Sequence, residues 1–140
     1  KVMEVFGRHT GATSRATLAA MRRSIDSNNK AALAELRNIQ QEYAELTSDL
    51  AAVPVPPNLA PLHLQAINAL GTVTATFDDM QAVLSDPLRG LSGLQHYQLK
   101  FDEAGRVFTS IADMFSKNGI LFSKNEPGAA WNVLVSSYAQ

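Results

Sequence analysis

Leu36, Ile39, Tyr43, Leu46, Leu50 and Val53 follow one another at steps of three, four, three, four and three. An α-helix gathers residues so spaced onto one stripe, whereas a strand would scatter them over both faces. With Ser27 or Asn28 as plausible caps, the segment to Val53 makes a helix roughly 38 Å long at 1.5 Å per residue. A second seam has the same rhythm: Tyr97, Phe101, Ala104, Phe108, Ile111 and Phe115 step by four and three. Each stripe needs an apolar partner, so the chain has to pack helix on helix.

The remaining elements are set by their punctuation. A shorter helix is expected from about Ser14 to Asp26, with Leu18, Met21 and Ile25 inward and Arg15, Arg22 and Arg23 mostly outward. The short link "SIDSNN" then makes it an antiparallel neighbour of the next helix. "VPVPPN" stops that helix, Asn58 caps a third, and Pro61 is tolerated in its first turn because it has no intrahelical donor to lose there. The third helix is expected to run to about Leu84. Leu62, Ala66, Ala69, Val73, Phe77, Met80 and Leu84 form one stripe, and Leu59, His63, Ile67 and Leu70 a second beside it. An apolar arc this wide marks the central helix.

Asp86 and Pro87 read as N-cap and first residue of a fourth helix, whose opening turns Gly90 and Gly93 weaken. Asn118-Gly119 ends it, with Gly119 left-handed and Ile120 folding back on the last turn. In the tail, Trp131, Leu134, Val135 and Tyr138 fit a helical face, while Trp131, Val133 and Val135 alternate as in a strand. The expected fold is all-α, an up-and-down bundle of four main helices with a short C-terminal helix or extended tail. The whole of 1–140 is read as one domain, since neither side of the proline-rich link holds a full core.

Composition narrows the functions. Thirteen acidic residues against twelve basic ones give no field that would concentrate the chain on nucleic acid. With no cysteine there is no disulfide, thiolate metal site or cysteine nucleophile. No apolar run approaches the roughly 20 residues of a membrane span.

The candidate chemistry is sparse. His63 has Leu59, Ala60, Ala66 and Ile67 at the offsets where a helical zinc site would need ligands, so it reads as a core-edge histidine with a hydrogen-bond partner. Asn68, five residues on, lies about 140° around the helix beside Leu64, Gly71 and Ala75. It is expected to satisfy neighbouring backbone where those small residues let another helix approach. Asp78-Asp79 and Asp102-Glu103 are adjacent pairs, which fit a solvated face better than convergent acid-base carboxylates. No catalytic, cofactor or metal residue is assigned. His63, Asn68 and Tyr97 remain as polar anchors, or as a ligand site in a groove between the third and fourth helices.

The runs "FGR", "VPVP", "HLQAIN", "DPL" and "NGILFSKNEPG" resemble those of uncharacterised helical proteins of small-genome candidate-phylum bacteria, over about Phe6 to Gly128. That resemblance implies a helical domain displayed outside the cytoplasmic membrane behind an N-terminal hydrophobic segment, with Lys1 following a removed anchor. It implies no activity. The expected function is therefore a non-enzymatic extracytoplasmic module at the cell envelope that supports protein contacts, assembly or self-association. The alternatives are a small-molecule or peptide binder using the His63, Asn68 and Tyr97 groove, and a cytoplasmic protein. Membrane contact is expected only through a segment upstream of Lys1.

Overall fold

The computed structural model describes residues 1–132, and these are all-helical, with no strand among them. In chain order they form α1 (Val2–Arg8), α2 (Ser14–Ser27), α3 (Lys30–Ala51), α4 (Ala60–Ala75), α5 (Phe77–Met80) and α6 (Pro87–Lys117). A helical turn at 129–132 follows. The tail positions Val133, Leu134, Val135 and Tyr138 lie outside the described residues.

Capping explains most boundaries. Thr13 accepts from the Ala16 amide at the start of α2, and Asn29 accepts from Ala31 and Ala32 at the start of α3. Between them Asn28 takes a left-handed φ of 46°, which closes α2 and turns the chain. Asp86 caps α6 through the Arg89 amide, with Pro87 as first residue. At the far end the Ile120 amide bonds to the Phe115 carbonyl across a left-handed Gly119.

Where α3 meets α4, and where α4 and α5 meet α6, the helices run antiparallel, because partner numbers fall on one as they rise on the other. Arg23 of α2 pairs with Glu35 of α3. On α3, Leu50 meets His63 while Gln40 meets Thr74 and Asp78. Across α4 and α5 to α6, Ala66 clusters with Ile111, and Phe77 stacks edge-on against Tyr97. The seam of α3 is buried from Leu36 to Leu50, each residue 6% exposed or less. Each such side chain fully withdrawn from water contributes about 1.5–3 kcal/mol. On α6, Tyr97, Ala104 and Ile111 are buried and Phe101, Phe108 and Phe115 half-buried. Among the described residues no helix is long and apolar enough to cross a membrane.

Several expectations need correction. The third helix does not continue to Leu84, because it breaks at Thr76. Thr74 Oγ1 donates to the Leu70 carbonyl and Thr76 Oγ1 to that of Val73, and such back-bonding competes with the helical ladder. α5 then leans onto α6, which explains Gly90 and Gly93. A Cβ on Gly93 would lie 2.6 Å from the Met80 amide nitrogen, and one on Gly90 would strike Val83. These glycines permit a helix crossing at the opening of α6. Gly71, where close approach was expected, has nothing within 4 Å of a built Cβ.

Asn58 does not cap α4. Leu59 holds that position without a side-chain bond, and the Leu59 and Ala60 amides are satisfied by the carbonyls of Pro56 and Pro57. On α2 the inward face is Thr17, Ala20, Met21 and Ser24, whereas Leu18 and Ile25 are exposed. Small residues let α2 lie close on α3, and Thr17 and Ser24 bury their hydroxyls by donating to carbonyls one turn back. Lastly, α1 was not expected at all: seven residues carry too little periodicity. It is held from outside, by Phe6 edge-on to Phe108 and by Arg8 and His9 on Asp49.

Candidate functional site

The antiparallel order brings the C-terminal end of α3, the N-terminal end of α4 and the C-terminal half of α6 to the same end of the molecule. Here the helices do not close on one another, and a cavity of about 360 Å³ remains between them. Leu50, Val53 and Val55 come from α3 and the proline link, His63, Ala66 and Ile67 from α4. Phe108, Ile111 and Phe115 line it from α6. Val2 and Met3 of α1 cover one side, and Phe122, Gly128 and Trp131 of the tail cover another.

The tail is fixed as a wall by one side chain. Asn132 Nδ2 donates to the Phe122 carbonyl at 2.7 Å, and Asn132 Oδ1 accepts from the Phe122 amide at 3.4 Å. A single amide thus holds both ends of the 122–132 loop. Behind it Phe115 meets Trp131 at 5.4 Å and Phe122 at 5.6 Å, both edge to face, and Phe108 meets Trp131 at 6.2 Å. Such edge-on packing is favourable beyond the area it buries.

His63 is the half-buried polar side chain of this wall. Its Nε2 donates at 2.9 Å to the Leu50 carbonyl, which also accepts the Val53 amide where α3 ends. A carbonyl only accepts, so Nε2 carries a proton, and Nδ1 is the acceptor of the ring in its neutral form. The rim carries the Lys1 side chain and the carboxylates of Glu4 and Glu126. The Ser123 amide, donating at 2.6 Å, holds the Glu126 carboxyl below its usual range, so the group is charged at neutral pH.

Of the three residues expected to form a groove, the structure places only His63 at this cavity. Asn68 is exposed on α4. Tyr97 is fully buried nearer the opposite end, its hydroxyl 3.2 Å from that of Tyr43 and its ring against Phe77. The wall residues Phe122, Gly128, Asn132 and Met3 were not expected in a site. For Phe122 and Gly128 the signal is "NGILFSKNEPG", a turn whose packing onto α6 is a tertiary fact; Met3 and Asn132 lie outside that run. No protein-family model, curated protein or solved structure matches the chain.

Proposed function

We propose that this chain is a non-catalytic binding module that takes an apolar or amphipathic small molecule into the cavity between α3, α4 and α6. The observation that carries the reading is the combination of volume and lining: about 360 Å³, walled by aliphatic and aromatic side chains, with one half-buried histidine. Ligand pockets have this make-up, mostly apolar with few convergent polar groups, and begin near this size at about 300 Å³. A dry cavity of about 150 Å³ holds benzene, so this one has room for about a dozen non-hydrogen atoms.

The test is a titration with n-decanol, followed by the emission of Trp131, the one tryptophan of the chain. A ligand of about eleven non-hydrogen atoms at ordinary efficiency binds with a Kd on the order of 10–100 μM. Ala66→Phe, which projects a ring into the space, is expected to weaken binding at least tenfold while retaining helical circular dichroism and a cooperative melt. Unchanged Trp131 emission over the titration, or equal affinity in the filled variant, contradicts the proposal.

A second reading, a module for self-association or protein contacts, is favoured by a different observation. Leu88, Leu91 and Leu99 of α6 are exposed and spaced to share one face. Sedimentation of the wild type against Leu88→Glu/Leu99→Glu tests it, and a monomer in both at high concentration counts against self-association. Under either reading α2, α3, α4 and α6 form an up-and-down bundle, supported by the antiparallel pairing of α3, α4 and α6. Display at the cell envelope rests on the resemblance of the proline and turn motifs. The native sequence upstream of Lys1 tests that placement, which a hydrophobic segment there supports and its absence contradicts.

A further inference from the structure

We propose that the occupant of the cavity is an amphipathic cation, an alkyl- or arylammonium ion of about a dozen non-hydrogen atoms, with its apolar body between α4 and α6 and its ammonium at the mouth. This rests on the cavity being a binding site and adds the chemistry of what fills it.

The polar groups around the space are mostly acceptors. His63 donates from Nε2 to Leu50, so Nδ1 is the acceptor of its neutral ring. Among the described residues no buried side-chain nitrogen or oxygen lacks a partner, and Nδ1 makes no hydrogen bond among them, so Nδ1 is open to an incoming group. At the rim the carboxylates of Glu4 and Glu126 also only accept; the donors there are the side-chain and main-chain ammonium groups of Lys1, the latter 3.9 Å from Glu4. A head group that donates hydrogen bonds and carries positive charge complements this set. A carboxylate head would bring a third carboxylate to the two already there.

The walls favour the same choice. Phe108, Phe115, Phe122 and Trp131 present aromatic surface, which accommodates a cation better than aliphatic surface does. Glu4 and Glu126 are exposed, so an ammonium there keeps part of its hydration while its chain is buried. Discrimination between head groups then comes from the rim, and overall affinity from the chain.

Three ligands with one chain and different heads separate these contributions: decylammonium, n-decanol and decanoate, each below its micellar concentration at pH 7, read by Trp131 emission. The expected order is decylammonium, then decanol, then decanoate, with about tenfold between the first and last. Glu4→Gln/Glu126→Gln is expected to bring the amine down to the affinity that the same variant shows for the alcohol. As a measurement on the unaltered chain, the preference for amine over alcohol should shrink from 20 to 300 mM salt, where screening shortens to within the size of the rim. Decanoate binding as well as decylammonium, or an amine preference insensitive to both salt and the double variant, overturns the cation and leaves the cavity as a binding site. Failure of all three to bind overturns the binding reading itself.

Discussion

Tyr43 and Tyr97 share one buried hydrogen bond between hydroxyls on two different helices, 54 residues apart in the chain. Both sit on seam positions visible in the amino-acid spacing, but their pairing depends on how α3 and α6 are set against each other, which no local pattern encodes. Replacing Tyr97 by Phe removes one net hydrogen bond and is expected to lower unfolding stability by about 1 kcal/mol, measured by denaturant melts. Burial, reinforced by the neighbouring Tyr97, raises the Tyr43 phenol above its ordinary range. The sign follows from linkage: the unfolded chain releases this proton near pH 10 while the folded chain holds it. The stabilisation is complete below that pH and is lost as pH rises further. Tyr43→Phe should therefore flatten the fall of stability above pH 10, and an unchanged alkaline slope would contradict the assignment. His63 is similar: its place in the first turns of α4 was legible, but the Leu50 carbonyl that fixes its proton belongs to another helix. Asn68 was misread because its small neighbours face open space.

Among the elements, long periodic helices were legible and crossings were not. The seams of α3 and α6 run where the spacing put them, since six apolar positions at three-and-four steps admit one helical phase. The break at Thr76 and the α5–α6 contact depend on threonine back-bonding and on glycines whose meaning appears only beside Met80 and Val83. Two substitutions separate these cases. Gly93→Ala must push its new methyl against the backbone of α5, and the expected cost is about 1–3 kcal/mol. Gly71→Ala adds a methyl in open space within a helix and is expected to gain about 0.5–1 kcal/mol. Thermal melts of the pair check both signs, and equal shifts would contradict the close crossing. For the tail, Asn132→Asp keeps the side-chain acceptor but loses the donor to Phe122. It is expected to loosen the 122–132 wall, read as a red shift of Trp131 emission.

At the scale of the whole molecule, two apolar clusters divide the interior among the described residues. One, around Tyr43, Phe77 and Tyr97, is closed; the other, around Ala66, Ile111 and Trp131, opens into the cavity. A ligand that binds only the folded chain stabilises it by about 2.7 kcal/mol at one hundred times its Kd, so thermal stability should climb with decanol or decylammonium concentration. The cavity could not be read from the sequence, because it lies where three helix ends, α1 and the 122–132 loop come together, which no local pattern encodes. The most direct measurement is a methyl NMR map of the chain titrated with n-decanol. Shifts confined to the lining methyls, among them Val53, Ile67 and Ile111, with Leu36 and Val73 unmoved, are the predicted result. No shifts, or shifts spread evenly over both clusters, would contradict a binding site at this end of the molecule.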